Sequence, residues 1–131
     1  MTDLFLRWNN HDEACEVEHT DAFQVWWDQL NAEEQESVRA MVKLLEDHGV
    51  ALKFPYASGI SSSRHGHMRE LRIQHAGRPY RVLYAFDPRR SAILLIGGDK
   101  TGNNRWYREF VPIADRLYDD HLEQLRQEGE I

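Results

Sequence analysis

Residues 67–108, HMRELRIQHAGRPYRVLYAFDPRRSAILLIGGDKTGNNRWYR, constrain the fold of this chain more than any other stretch. Three apolar runs of strand type are joined by two short turns. Met68, Leu71 and Ile73 mark the first run. In the second, Arg81, Leu83 and Ala85 fall on one face and Tyr80, Val82, Tyr84 and Phe86 on the other. Residues 92–96 are almost continuously apolar, as in a strand buried on both faces. Ala76-Gly77-Arg78-Pro79 and Asp87-Pro88-Arg89-Arg90 carry turn chemistry, so the runs predict an antiparallel meander.

The upstream segments supply the layer that packs on it. Residues 15–20 alternate apolar and polar side chains and predict a short half-buried strand. Thr20 or Asp21 then caps a helix with Phe23, Trp26, Trp27 and Leu30 at helical spacing. Asn31 and Glu34 form a capping box for a second helix, whose stripe is Val38, Met41, Val42 and Leu45. That helix ends at His48-Gly49, where glycine suits the left-handed terminus. Residues 53–64 read as a serine-rich loop, and residues 97–105 as a polar, glycine-rich loop lacking the spacing of a phosphate-cradling Walker motif. Pro112 suits the first turn of a last helix carrying Ile113, Leu117, His121 and Leu125. The order is β-α-α-β-β-β-α, an α+β chain. Residues 1–13 show no sustained period and are expected to be a flexible N-terminal extension; residues 14–131 are expected to form a single domain.

Charge is distributed unevenly. Residues 56–110 carry ten Lys and Arg against four Asp and Glu, whereas the whole chain has a net charge of −6. A basic segment on an acidic body implies a polyanionic ligand at one face. Hydrophobic content of 41% is that of a soluble globular protein, and no run approaches the length of a membrane span. The start, with Asp3, has no secretory pattern, and a single cysteine, Cys15, fits a reducing cytoplasm as a small buried hydrophobe.

Candidate chemistry lies in the basic segment. Arg69, Arg72 and Arg81 come from two neighbouring strands, and sheet parity divides them, placing Arg69 and Arg72 on opposite faces. Lys100, Arg105 and Tyr107 follow the last strand: a point cation, a planar fork for phosphate oxygens and a hydroxyl. His65 and His67 have H-x-H spacing but no acidic or cysteine partner at usable spacing, so neither a metal nor another cofactor is expected. Paired catalytic carboxylates and a Ser-His-Asp set are also missing. Cations with a tyrosine and histidines suit RNA cleavage, in which the ribose 2′-oxygen attacks the adjacent phosphorus. A Lys or Tyr needs a substantially shifted pKa to act as a base near neutrality; a crowd of cations is one way to provide it, and the sequence gives no direction for any one group.

M-R-E-L-R at residues 68–72, R-P-Y-R-V-L-Y-A-F-D at 78–87 and I-L-L-I-G-G-D-K-T at 93–101, following W-W-D-Q-L and L-L-E-D-H-G, resemble the HigB-like branch of the RelE/ParE toxin superfamily, with its phage-derived relatives. The resemblance implies a RelE-like twisted antiparallel sheet packed on two N-terminal helices, plus a C-terminal helix. It further implies a toxin of a type II toxin–antitoxin system, a metal-independent endoribonuclease cutting mRNA on the ribosome in the cytoplasm. The catalytic positions it favours are Arg72, Arg81, Lys100 and Tyr107, with Arg69, His67, Arg105 and Arg64 as RNA-binding residues. Implied partners are mRNA, the ribosome and a cognate antitoxin of helix-turn-helix type, with scope for a higher toxin–antitoxin oligomer and no membrane. Two rival readings share the fold: inhibition of DNA gyrase by binding, and a non-catalytic phage or accessory binding module.

Overall fold

A computed structural model describes residues 14–131; the expected extension over residues 1–13 lies outside the described residues. The strands are β1 (Val17–His19), β2 (Ala57–Gly59), β3 (Arg69–His75), β4 (Arg78–Phe86) and β5 (Ala92–Asp99). They form one sheet in the order β1-β5-β4-β3-β2. The meander β3-β4-β5 is antiparallel, as its turns predict. Ala76 (φ 49°) and Gly77 (φ 77°) both adopt positive φ, the backbone of a two-residue hairpin turn whose twist matches the strands.

Two strands depart from the expected sheet, one in its direction and one in being present at all. β1 pairs parallel with β5, Val17 opposite Ala92, so the sheet is mixed. β2 lies inside the expected serine-rich loop and adds an antiparallel edge to β3. Ala57, Ser58 and Gly59 have no apolar alternation to announce a strand; their pairing comes from the neighbouring edge.

Three α-helices flank the sheet: α1 (Asp21–Gln29), α2 (Ala32–His48) and α3 (Trp106–Gln127). The Thr20 hydroxyl accepts from Phe23 N at 3.0 Å and donates to Leu95 O at 2.6 Å, capping α1 and tying it to β5. The Asn31–Glu34 capping box opens α2, with both bonds at 2.8 Å, and Gly49 (φ 54°) closes it. α1 and α2 pack on the face bearing Leu71, Ile73, Tyr80, Val82 and Tyr84. α3 covers the opposite face, on Leu83, Ala85, Ile93 and Leu95. It starts at Trp106, earlier than Pro112 suggests, leaving this proline inside the helix and exposed. Trp106 and Phe110, one turn apart, stack with centroids 4.6 Å apart and extend the helix toward β5.

The end of β5 fixes how closely both layers approach. Leu95 is an extra residue between the pairs Leu83–Ile96 and Tyr84–Leu94, so Leu95 and Ile96 both belong to the α3 side. Gly97 and Gly98, expected in the loop, continue the strand and face opposite layers. A Cβ at Gly97 would stand 2.4 Å from the Trp26 ring, and one at Gly98 would stand 2.7 Å from Trp106 Nε1. Each tryptophan lies against bare backbone. Gly97→Ala should therefore destabilise the fold by about 1–3 kcal/mol through overpacking. Gly59→Ala, with nothing within 4 Å of the added carbon, should leave the denaturant midpoint nearly unchanged.

Tyr80 crosses from β4 to α2, where its hydroxyl donates to Glu34 and Arg78 stands 3.5 Å from the same carboxylate. Burial first, then the Glu34 hydrogen bond, pushes the Tyr80 phenol from 10.0 up to about 12. The folded chain thus holds a proton that the unfolded chain releases, and stability falls as pH rises between those two values. Tyr80→Phe should make the alkaline loss of stability less steep in this window, measured by urea unfolding across pH.

Candidate functional site

Glu70 is the residue on which the candidate site converges. It points to the α3 side of β3 and is only 5% exposed. Its Oε2 accepts from Ser58 Oγ of β2 at 2.7 Å and from Arg72 Nη1 at 3.1 Å. Its Oε1 accepts from Tyr107 Oη of α3 at 2.6 Å and lies 3.4 Å from Arg81 Nε of β4. One carboxylate therefore joins β2, β3, β4 and the first turn of α3.

Strand parity explains the arginines. Arg72 and Arg81 are directly opposite in the β3–β4 register, and a two-residue step keeps Glu70 on their side. Arg81 is 6% exposed and donates to its neighbour's carbonyl, Tyr80 O, at 3.0 Å. Arg72 is half-buried, its guanidinium shared between Glu70 and the Phe54 ring. Lys100 follows β5, its Nζ 5.5 Å from the centroid of the Tyr107 ring. Three cations thus surround one carboxylate and one phenol. Among the described residues no side chain caps the N-terminus of α3 at Arg105, so its free N–H groups, with Glu109 in the same turn, lie beside this cluster.

The surroundings of the Tyr107 phenol set the direction of its pKa, which the sequence left open. Burial, then the hydrogen bond to Glu70, pushes its pKa up; the opposing pull of Arg81 is weaker. Tyr107 holds its proton and donates it to Glu70. It is not a ready-made phenolate base.

The other candidates lie elsewhere. Arg69 faces α2's layer, donating from Nη2 to Leu52 O at 3.0 Å and from Nε to Tyr84 Oη at 3.3 Å. Arg64 pairs with Asp119, and His67 Nε2 stands 3.1 Å from Tyr118 Oη. Tyr118 is eleven residues beyond Tyr107, about 16 Å along α3. Arg64 and His67 therefore staple the loop before β3 to the far half of that helix. Arg105 is exposed at the start of α3. Sequence reasoning passes over Glu70 and Ser58 as site members. The E-L-R spacing holds the missed signal, because Glu and Arg two apart in a strand share a face.

Fold and site together define a small α+β protein of RelE-like type, with a cationic cluster at one end of the sheet. The family model of phage derived protein Gp49-like (DUF891) matches residues 25–119, and the chain belongs to this family. Over 102 residues the chain is 41% identical to "Putative toxin HigB2" of Mycobacterium tuberculosis (strain ATCC 25618 / H37Rv), covering 76% of this chain and about half, 51%, of that protein. It is 44% identical over 98 residues to "Putative toxin HigB3" of the same strain, covering 74% of this chain and 84% of that one. The HigB-like resemblance of the strand and loop motifs is thereby established. Among the described residues no helix is long and apolar enough to cross a membrane.

Removing the hub should be severe. Glu70→Ala leaves buried Arg81 without its counter-charge and should destabilise the fold by about 3–5 kcal/mol. Glu70→Gln, which keeps an acceptor oxygen, should lose less, with both read from denaturant unfolding at neutral pH.

Proposed function

We propose that this chain is the toxin of a type II toxin–antitoxin pair, acting in the cytoplasm as an endoribonuclease that cuts mRNA on the ribosome. The observation that carries the reading is the convergence of Arg72, Arg81, Lys100 and Tyr107 around Glu70. Two relatives named as toxins support the biological role. A cognate antitoxin of helix-turn-helix type is the partner proposed with it.

The chemistry follows from the donors. The scissile phosphate docks between Arg72 and Lys100, near the uncapped start of α3. The 2′-oxygen attacks phosphorus, and its proton passes to the Tyr107 oxygen as the phenol hands its own proton to Glu70 across their 2.6 Å bond. The Lys100 ammonium protonates the departing 5′-oxygen, leaving a 2′,3′-cyclic phosphate and a 5′-hydroxyl. Arg72, with Arg81 behind it, stabilises the charge developing on the non-bridging oxygens. Proton return from Glu70 to Lys100 through solvent restores the site. No metal is required in this sequence of steps.

In reconstituted translation, wild type should cut mRNA when ribosomes are present. Tyr107→Phe should slow cutting by about 10²–10⁴-fold through loss of the proton relay. Arg72→Ala should slow it by about 10²–10³-fold. Arg64→Ala, placed far along α3, should cut at nearly the wild-type rate. Intact mRNA in every reaction, with growth still arrested, would sink the nuclease reading and favour gyrase inhibition.

A further inference from the structure

The loop entering β2 carries two aromatic rings that the core does not use. Phe54 is 69% exposed and Tyr56 is 47% exposed, while Leu52 and Ala57 on either side are buried. The core is thus complete without the two rings, which were free to turn inward only at the expense of those neighbours. The loop is held in place: Tyr56 N and Ala57 N both donate to Lys53 O, at 3.0 and 3.1 Å. Arg72 N donates to Tyr56 O at 2.8 Å, fixing the loop to the strand that carries the site. The Arg72 guanidinium lies 5.2 Å from the Phe54 ring centroid. One guanidinium therefore joins the aromatic loop to the phosphate-binding cluster.

We propose that Phe54 and Tyr56 are a stacking platform for an unpaired base of the RNA strand held at Arg72 and Lys100, a subsite that holds a nucleotide beside the cleaved bond. This rests on the nuclease reading above. Charge decides the occupant. The rings are bordered by Lys53 and Arg72, so the surface combines flat apolar faces with cations, which is the pairing that single-stranded nucleic acid matches. An apolar protein segment would gain the rings and leave the cations unanswered. Stacking tolerates any base, so the platform supplies affinity and register, with larger purines held more firmly.

The test uses the full chain and a fluorescent, all-2′-O-methyl RNA hexamer, which lacks the attacking 2′-hydroxyl, alongside the same hexamer with abasic positions. Binding is followed by anisotropy at low salt. Wild type should prefer the base-bearing hexamer. Phe54→Ala and Tyr56→Ala should each weaken that hexamer by about 5- to 100-fold and leave the abasic one unchanged. Phe54→Trp should restore the preference, and matched melting temperatures verify folding. Equal binding of both hexamers by wild type overturns the platform, as do alanine variants that weaken both hexamers alike or neither. Loss of antitoxin binding with unchanged hexamer affinity assigns the rings to a protein and also overturns it. Cleavage is read separately: base-selective binding without mRNA cutting would remove the nuclease reading and leave the platform standing.

Discussion

A buried carboxylate must be matched or it cannot remain charged inside a protein, and the arrangement around Glu70 meets that demand with hydrogen bonds from β2, β3 and α3 and the Arg81 guanidinium of β4 at ion-pair distance. The requirement acts in both directions. Ser58 gives the three-residue edge strand β2 a reason to lie where it does, and Tyr107 sets the rotation of α3 as the helix leaves β5. Arg81, nearly as buried, finds in Glu70 its counter-charge. Structure and candidate chemistry therefore share one group, so a change that loosens the edge of the sheet also disperses the cations.

Much of the scaffold was legible because its signals are local. The Asn31–Glu34 box, the Thr20 cap, Gly49 and the Ala76-Gly77 turn each act within a few residues, and each forms as its residues predict. The β3–β5 meander follows from alternation between short turns. What stayed hidden depends on distant partners. β2 exists because β3 offers an edge, β1 runs parallel because β5 is its neighbour, and α3 begins early because Trp106 finds a glycine to lie on. None of these leaves a periodic trace.

The site divides in the same way. Parity separated Arg69 from Arg72, the β3–β4 register then set Arg72 beside Arg81, and the chain order brought Lys100 and Tyr107 to the same end. The direction of the Tyr107 shift, however, is not legible from a count of cations. A phenol responds to its nearest hydrogen-bond partner and to loss of water, and both favour the protonated form here. His67 and Arg64, close to the cluster in sequence, have their partners on the far half of α3, a placement that only the tertiary packing sets.

The parallel pairing of β1 with β5 also governs how the chain is made. Val17 and Ala92 are about 75 residues apart, so during synthesis the first strand waits some 4–15 s for its neighbour at ordinary elongation rates. Tyr107 emerges later still. A nascent chain can build the β3–β4 hairpin early, yet the cluster around Glu70 closes only after Tyr107 has left the ribosome. Premature termination anywhere before α3 thus yields a fragment without the assembled cluster, and the cell meets a complete site only in chains synthesised past that helix's first turn.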